Sequence, residues 1–469
     1  MAFYHGIQVQ EKQTRVVAPV QVDSAVQVVV GLAPINMGSA ADPLVPQVAY
    51  SYEEAVAKMG MSDNHLSYTI CESIKLSFAT YNVAPLVMIN VLDPTKHKQS
   101  KTTVSVSMLE GRAELPEEGV LLPSVQLTQS EQALKEGTDY SISFTGSGKA
   151  LIERIEGGKI TEQTATLKAT YNVLDPESVT EDDIVAGVQK IREVYPRFGI
   201  VPGTLIVPGF SGKPKVYNAM TAKTQNLNGA FRYHCLVDLD TETVTSYDKA
   251  LAEKNKNNFT HENSSLFYPM VKVGDEIYHF SAIAGALIAD TDYKNEGIPY
   301  VSLSNRALKI TGLCLKDGSE VVLDMEQGNA LNKDGINTAI NMNGWRAWGN
   351  RTACYPGNTD IKDCFIPCRR MYNWWANQFI LSYFSKVDNP LNKRLIESIV
   401  DSENIKGNSW KQRYQAAEAK MVFEAEDNPE TDLINGIVRV RMLFSPYPPA
   451  EQIWATVEYD TNALQSALQ

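Results

Sequence analysis

The chain twice alternates apolar strands with amphipathic helices, and a stretch without helical spacing separates the two runs. The first run is predicted from an apolar strand at 26–31 to a strand at 86–92, with helices near 52–59 and 66–81 between them. The second run begins near residue 180. Such alternation is typical of a largely parallel sheet covered by helices on both faces. The sequence therefore predicts one α/β unit that an insertion divides.

The second run opens with a helix start signal. Thr180 is a plausible N-cap with Asp183 three residues later, and the apolar residues that follow recur with helical spacing. The later elements alternate as in the first run: a strand at 204–207, a helix at 216–224, a strand at 233–239, and helices at 247–256 and 281–289. We therefore expect this part of the chain to continue the same sheet.

Between the two runs the apolar residues alternate with period two, for example at Val104, Val106 and Met108. This spacing is typical of half-buried strands, so we predict a small all-β unit here. The sequence 90–94, Asn-Val-Leu-Asp-Pro, is repeated at 172–176 on the other side of this unit. One such echo does not make a repeat family, but it suggests that the two connections leave the parent unit in a similar way.

Both ends of the chain carry strand-like patterns. Phe3, His5, Ile7 and Val9 occupy one side of an extended N-terminal segment that has no partner strand directly after it. Near the other end, Val438, Val440, Met442 and Phe444 alternate with polar residues, and a second strand is predicted at 453–459. Unpaired strands of this kind either stay free or pair with something distant.

Composition limits the classes of function. The chain has 469 residues, which allows about three domains, and its 43% hydrophobic content permits sizeable cores. A net charge of −12 argues against sequence-independent binding of nucleic acid or of an anionic membrane by the whole surface. No apolar run approaches the ~20 residues of a membrane-spanning helix. The first residues have no secretory pattern, so we expect residence in a cytoplasm and reduced cysteines.

No pattern in the sequence demands catalysis, a cofactor or a metal. Gly148-Lys149 and Gly212-Lys213 both lack the upstream glycine and following hydroxyl of a phosphate loop. Residues 209–212, Gly-Phe-Ser-Gly, are one residue short of a nucleophile elbow, and no Ser-His-Asp arrangement follows from the spacing of His234 and His279. Three cysteines, Cys354, Cys364 and Cys368, lack the paired spacing of a zinc site.

Residues 362–420 are locally basic, with ten basic and six acidic side chains in an acidic protein. One interpretation is a solvated face on two helices. The alternative is a docking surface for an acidic partner.

Four stretches together resemble the contractile tail sheath proteins of myophage-type bacteriophages and phage-tail-like bacteriocins. The resemblance spans nearly the whole chain, and the order and separation of the stretches make it specific. They are Val-Val-Val-Gly-Leu-Ala at 28–33 with the helices after it, Ser-Ala-Ile-Ala-Gly-Ala at 281–286 with Asp-Thr-Asp at 290–292, Gly-Trp-Arg-Ala-Trp-Gly-Asn-Arg-Thr at 344–352, and Pro-Tyr-Pro-Pro-Ala-Glu at 446–451.

The resemblance implies an α/β multidomain fold with a subtilisin-like α/β domain that lacks catalytic residues. It also implies an inserted β-sandwich domain and an α+β C-terminal domain with strand-forming terminal arms. We expect these boundaries: an N-terminal arm at 1–20, a split α/β domain at 21–95 and 178–340, an insert at 96–177, and a C-terminal tube-facing domain at 341–469.

The resemblance also implies a structural function. Sheath subunits polymerise around a tail tube as stacked hexameric rings, and the polymer contracts to drive the tube through a bacterial envelope. The implied partners are further copies, the tube protein, the baseplate and the tail terminator, with no nucleic acid and no direct membrane insertion. The implied place is a virion tail or tail-like particle assembled in the bacterial cytoplasm, and no enzyme activity is expected.

Family membership assigns the two ends to strand exchange between subunits. The expected exchange residues are Phe3, His5, Ile7, Val9, Val438, Val440, Met442, Phe444, Ile453, Ala455, Val457 and Tyr459. The expected tube contacts are Lys393, Arg394, Lys411 and Arg413. Two alternatives stay open from the sequence: a non-contractile structural tail component, and a hydrolase on the same α/β scaffold.

Overall fold

A computed structural model describes residues 20–21, 24–39, 42–145, 148–160 and 162–468 of the chain. Its strands, in chain order, are β1 (Val20–Gln21), β2 (Gln27–Gly31), β3 (Gln47–Ala49), β4 (Val83–Ala84), β5 (Leu86–Asn90), β6 (Lys98–Met108), β7 (Arg112–Glu114), β8 (Gln126–Gln129), β9 (Gln132–Ala133), β10 (Tyr140–Phe144), β11 (Ala150–Arg154), β12 (Ala165–Leu174), β13 (Thr204–Ile206), β14 (His234–Asp238), β15 (Ser264–Phe267), β16 (Met270–Val273), β17 (Glu276–Tyr278), β18 (Gly312–Cys314), β19 (Glu320–Val321), β20 (Ile336–Asn341), β21 (Trp345–Trp348), β22 (Ala416–Val422) and β23 (Arg441–Pro446).

The α-helices, in chain order, are α1 (Tyr52–Met59), α2 (Thr69–Ile74), α3 (Glu181–Gln189), α4 (Val194–Phe198), α5 (Pro214–Thr221), α6 (Ala250–Lys256), α7 (Phe280–Lys294), α8 (Met325–Lys333), α9 (Ile361–Cys364), α10 (Ile366–Tyr383), α11 (Lys393–Gln412), α12 (Glu430–Ile434) and α13 (Thr461–Ala467). Helix α2 continues directly into a π-helical segment, Lys75–Tyr81.

The main sheet has eight strands in the order β21-β20-β15-β14-β13-β2-β5-β3. The six strands from β20 to β5 are parallel, and the strands at both edges, β21 and β3, are antiparallel to their neighbours. Every residue of β2, β5, β13, β14 and β15 is buried. Strands buried on both faces require helices on both faces, and the chain supplies α3 and α5 on one face and α2 and α7 on the other. The predicted α/β alternation is confirmed.

The start of α3 shows how local chemistry sets these elements. The Thr180 hydroxyl accepts a hydrogen bond from the Asp183 amide at 3.4 Å, and the Asp183 carboxylate accepts one from the Thr180 amide at 2.9 Å. This reciprocal arrangement satisfies two amides that the first helical turn leaves free. The N-cap predicted at Thr180 is confirmed.

The strands between residues 98 and 174 form two antiparallel sheets, β6-β12-β8-β9 and β10-β11-β7, around a hydrophobic cluster separate from that of the main sheet. Lys98 pairs with Leu174, and the Asp175 amide donates to the His97 carbonyl at 3.0 Å. The chain therefore enters and leaves this unit side by side, a few residues after the first copy of the repeated pentapeptide and within the second copy.

Helices α10 and α11 with strands β22 and β23 pack around a third cluster and are called the C-terminal block below. Aromatic rings stack along the first of these helices, where the ring centroids of Trp375 and Phe379 are 5.6 Å apart. Trp345 and Trp348 do not belong to this third cluster. Both lie in β21, which pairs with β20 of the main sheet, and Trp345 packs against the main core.

A buried ion pair joins the C-terminal block to the main sheet. Arg370 of α10 donates two hydrogen bonds to the carboxylate of Asp292 on α7, one of them at 3.1 Å. The Ser24 hydroxyl donates to the same carboxylate at 2.6 Å. Both charged side chains are almost fully buried, so the hydrogen bonds must replace the water that each has lost.

No helix in the described ranges combines the length and apolarity that a bilayer crossing requires.

We expect Arg370→Met to lower the free energy of unfolding by about 3–5 kcal/mol, because it leaves Asp292 buried and without its cation. Arg413→Met is the matched control. Arg413 forms an ion pair with Glu296, which lies just after the end of α7, the helix that carries Asp292, but both of these side chains are exposed. That change should cost less than about 1 kcal/mol. Urea denaturation followed by tryptophan fluorescence measures both, and equal losses would contradict the role given to the buried pair.

Candidate assembly surfaces

The C-terminal block is built on aromatic packing between its two helices and its hairpin. The Trp374 and Trp410 rings, one from each helix, have centroids 5.1 Å apart. Phe444 of β23 meets Tyr372 of α10 at the same centroid distance. Large rings bury much apolar area at a small cost in side-chain entropy. This packing fixes the two-stranded sheet against the helices and so decides which of its edges are covered.

Helix α11 covers the outer edge of β22. The side-chain amide of Asn404 accepts from the Met421 amide at 2.8 Å and donates to the Met421 carbonyl at 3.0 Å, which is the bonding that another strand would supply. A side chain at Gly407 would place its Cβ 1.9 Å from the carbonyl oxygen of Ala419. Only glycine therefore allows the helix to lie this close to the strand. The edge of β22 is closed to further strands.

The outer edge of β23 is open at Met442 and is covered by a side chain at Phe444. Backbone groups of an antiparallel pair point alternately toward and away from the partner strand. The backbone amide and carbonyl of Met421 point toward Asn404 and away from β23. The backbone amide and carbonyl of its paired residue Met442 therefore point away from β22. On that side the Phe444 carbonyl accepts from the Tyr372 hydroxyl at 2.5 Å. Of the strands that the structure describes, only β22 pairs with β23.

The strand predicted through Val438, Val440, Met442 and Phe444 begins later than expected. Strand β23 starts at Arg441, so Met442 and Phe444 are in it, whereas Val438 and Val440 precede it without a partner strand. Val438 is exposed, and Phe444 is buried against the aromatic cluster. The alternating pattern is real, but the hydrogen bonds of Asn428 to Arg439 hold the earlier part as a loop.

The second predicted strand, with Ile453, Ala455, Val457 and Tyr459, is wrong for the isolated chain. Residues 451–460 form neither helix nor strand and are exposed throughout. Ile453 is 89% exposed, and Val457 is 93% exposed. An ion pair between Arg351 and Glu451 holds the beginning of this segment. An exposed, mainly apolar segment with alternating apolar residues is typical of a strand that lacks a partner.

Phe3, His5, Ile7 and Val9 lie outside the described residues, so the N-terminal part of the strand-exchange prediction stays a prediction.

The four basic residues expected at the tube do not form one cluster. Lys393 and Arg394 lie at the start of α11, and Lys411 and Arg413 lie at its end, about 27 Å away for a helix of this length. Three of them form ion pairs within the chain: Lys393 with Glu397, Lys411 with Glu418, and Arg413 with Glu296. Arg394 is exposed.

The carboxyl edge of the main sheet holds a buried acid–histidine cluster that the sequence reasoning missed. The imidazole Nδ1 of His279 lies 2.8 Å from the Glu72 carboxylate, which also accepts from the His279 amide. Asp238 accepts from the Ser281 amide at 2.7 Å. Burial lowers the pKa of His279, but Glu72 and Asp238 outweigh it and raise that pKa above its usual value. Glu72 and His279 are far apart in sequence, and no local pattern links them.

This cluster does not form a hydrolase triad. A cavity beside this cluster is lined by His279, Asp238 and Ser211, the serine of the Gly-Phe-Ser-Gly motif at 209–212. Ser211 accepts a hydrogen bond from the Asp238 amide and is fully buried. Gly209 rather than a nucleophile lies against the His279 ring. His234 lies at the opposite edge of the sheet and contacts the Ser265 hydroxyl at 2.8 Å. Among the described residues, no hydroxyl is hydrogen-bonded to the His279 imidazole as a triad would require.

Cys354, Cys364 and Cys368 do come together, in a small hydrophobic cluster with Phe365. Burial raises the pKa of Cys368 to about 12 and also raises the pKa of the other two thiols. Metal binding requires thiolates. Among the described residues no group of histidine, cysteine, aspartate and glutamate side chains is arranged to hold a metal ion.

Comparison with known proteins gives whole-length similarity to tail sheath proteins. The tail sheath protein of Burkholderia phage BcepMu is 27% identical over 488 residues, covering 98% of both chains. A chain of the anti-feeding prophage baseplate matches with a TM-score of 0.61 and 14% identity over 98% of this chain and all of its own. The sheath complex of the contractile injection system PVC, in its contracted state, matches with a TM-score of 0.57 and 14% identity over 99% of each chain. No protein-family model matches the chain.

We expect Asn404→Ala to destabilise the protein by about 1–3 kcal/mol, because it leaves the Met421 amide and carbonyl without partners. Ser402→Ala is the control, since Ser402 is exposed on the same helix and its loss should cost less than about 0.5 kcal/mol. Urea denaturation measures both variants. An Asn404→Ala protein as stable as the control would argue against the closed edge.

The Glu72–His279 pair predicts a pH-dependent contribution to stability. Because the folded pKa of His279 is raised, the stabilisation is complete below the unfolded value of about 6.5 and is lost as pH rises through the folded pKa. Glu72→Gln should therefore cost about 3–5 kcal/mol at pH 6 and less as the pH rises. Thermal denaturation from about pH 5.5 to 9 tests this, with the exposed Glu53→Gln as control. A pH-independent loss would contradict the charge pairing.

Proposed function

Because the chain belongs to the tail sheath protein family, we propose that it is a structural subunit that polymerises around a tail tube and that the polymer contracts to drive the tube through a bacterial envelope. The family relationship rests on the similarity to the BcepMu sheath protein along the whole chain. The chain is thus a component of a phage tail or a phage-tail-like particle. Its assembly in the bacterial cytoplasm, as stacked hexameric rings with the tube, baseplate and tail terminator as partners, is part of the proposal.

The observation that carries the assembly proposal is the presence in one chain of an open strand edge and an unpaired strand-like segment. Strand β23 has a free edge at Met442, and residues 453–459 are mainly apolar, are exposed and form neither helix nor strand. A segment of one copy added to the edge of another gains main-chain hydrogen bonds and buries its apolar side chains. We propose that residues 453–459 are the donated strand.

Donation of this kind is directional. The donor segment and the acceptor edge are different surfaces, so each copy can receive one strand and give another, and the contacts continue from copy to copy. Phe3, His5, Ile7 and Val9 are the proposed second donor. Val438 and Val440, which precede β23, would lengthen the acceptor edge when a strand is added.

The finer architecture is part of the same proposal. The parallel order of the main sheet supports a subtilisin-like α/β domain over the expected residues 21–95 and 178–340, with its second part extended to 348 so that it includes all of β20 and β21. The two antiparallel sheets support a β-sandwich insert over 96–177. The C-terminal domain is proposed to begin after β21, whose pairing with β20 places it in the main sheet.

Contraction is proposed to move these units as rigid bodies while the donated strands act as tethers. The buried Arg370–Asp292 pair supports joint movement of the C-terminal block and the main sheet. The energy would come from the difference between two packed forms of the polymer. No bound nucleotide is part of this mechanism, and no catalytic role is proposed for the His279 cluster.

The tube contact is proposed at the basic residues Lys393, Arg394, Lys411 and Arg413. Arg394 is the strongest of the four, because the other three side chains are engaged by carboxylates of the same chain. An exposed guanidinium can form a two-point contact with a carboxylate of a partner.

Strand donation predicts that Ile453→Asp with Val457→Asp abolishes polymers but leaves the subunit folded, because both side chains are exposed in the isolated chain and would be buried in the donated strand. Thr456→Asp is the control, since alternate residues of a strand face opposite sides. Negative-stain electron microscopy with the cognate tube and baseplate gives the readout, and circular dichroism checks the fold.

Normal tubes from the double variant would overturn the assignment of residues 453–459, and normal tubes from a chain lacking residues 1–10 would overturn the N-terminal assignment. Tubes that form but never shorten when triggered would favour a non-contractile tail component instead.

A further inference from the structure

An open groove of about 720 Å³ lies between helices α11 and α12. Its apolar lining comes from both helices, from the residue before α11 begins and from the residue after β22. These apolar residues are Leu391, Ile396, Val400, Phe423, Leu433 and Ile434. Ile434 is 76% exposed, and the others are half-buried. Neighbouring apolar side chains left in water in this way favour a partner that covers them.

Helix α13 presents an exposed apolar face that matches such a groove in kind. The Asp460 carboxylate accepts a hydrogen bond from the Ala463 amide at 3.1 Å and so caps the start of this helix. Its apolar residues recur at positions that share one side of a helix, and all of them are exposed: Ala463, Leu464, Ala467 and Leu468. Leu464 is 49% exposed, and Leu468, directly after the helix, is 79% exposed.

The charges indicate the direction in which the donated strand pairs with β23. Residues opposite each other in adjacent strands lie on the same face of a sheet. When the apolar side chains of the donated strand lie on the face of Met442, Glu458 and Asp460 lie on the other face, which they share with Arg439 and Arg441. An antiparallel donor also brings these acidic and basic residues to the same end of β23. A parallel donor places them at opposite ends.

The two arginines have room for these carboxylates. Arg439 contacts Asp432, and Arg441 contacts Asp427, but the two arginine side chains are still 51% and 53% exposed. A guanidinium has enough N–H donors for a second carboxylate. Opposite charges on neighbouring strands stabilise a sheet, so the antiparallel direction is favoured.

This direction brings α13 of the donor to the groove. Arg441 pairs with Val422 at one end of the hairpin, and Phe423, the next residue, lines the groove. The ion pair of Arg439 with Asp432 places α12 at the same end. An antiparallel donor ends there, and its helix begins only two residues after Tyr459.

We propose that the groove between α11 and α12 receives α13 of a second copy, the same copy whose donated strand pairs antiparallel with β23. This inference rests on the strand donation proposed above. An amphipathic helix laid in an apolar groove is a common form of recognition. The groove extends along α11 from Lys393 to Asp401, about 12 Å, and α13 is about 10 Å long. Arg394, the strongest of the proposed tube contacts, does not line the groove.

The first test is polymer formation by the full-length chain on the cognate tube and baseplate, followed by negative-stain electron microscopy at a series of subunit concentrations. Leu464→Asp with Leu468→Asp, the helix double variant, should raise the concentration needed for tubes at least about tenfold, because two apolar side chains no longer enter the groove. Asn462→Asp with Ser466→Asp is the matched control. It adds the same charge at the same spacing on the opposite side of α13 and should change that concentration by less than about twofold.

The second test identifies the copy that fills the groove. Polymers are formed from a mixture of Ile434→Cys chains and Leu464→Cys chains and are then oxidised. We expect covalent dimers that contain one chain of each kind, since the native cysteines in the described ranges are buried and free. Ser466→Cys in place of Leu464→Cys is the control, and it should give at least about fivefold fewer dimers because disulfide geometry is specific.

The outcomes separate this inference from the strand donation on which it rests. If the Ile453→Asp with Val457→Asp chain forms no polymers while the helix double variant behaves like its control, the groove assignment is overturned and strand donation is retained. Normal polymers from both double variants would overturn strand donation as well. Polymers without mixed dimers, or with equal yields from the Leu464→Cys and Ser466→Cys chains, would overturn the docking of α13 from a second copy. A wild-type chain that never polymerises with tube and baseplate would overturn the proposed function and this inference together.

Discussion

Burial of the parallel strands on both faces is the constraint on which the rest of the molecule depends. A strand with no polar face must be covered twice, so each parallel connection has to carry a helix or a larger unit across the sheet. The connection after β5 carries the whole two-sheet unit and then α3, and the sheet is unaffected because that unit leaves and returns at the Lys98–Leu174 pair. The C-terminal block follows the last strands and is fixed to the same sheet by Arg370 and Asp292.

The two outer edges of the small C-terminal sheet differ in whether another element covers them. Asn404 and the close approach of α11 at Gly407 close one edge, and the other edge at Met442 stays accessible. Exposed edges are usually blocked because they invite uncontrolled pairing. In the proposed strand donation the open edge at Met442 is the acceptor, and each subunit would need one such edge for each strand that it receives.

Most of the main sheet was predictable from the sequence because local patterns determine it: the apolar runs of β2 and β14 and the capping pair at Thr180 each lie within a few residues. The Glu72–His279 pair was not, because it depends on residues brought together by the tertiary fold. The segment 453–459 has the pattern of a strand, but a strand needs a partner, and none of the strands that the structure describes pairs with it.

The position of the two-sheet unit also affects synthesis. Val28 of β2 pairs with Val87 on one side and with Leu205 on the other, so the second neighbour is translated long after the first. At a translation rate of about 5–20 residues per second, on the order of ten seconds pass between the synthesis of β5 and the synthesis of β13. The unit between them contains its own core and its own strand partners. It can fold during that interval, while the apolar edge of β2 is still uncovered and in need of protection by the ribosome or a chaperone.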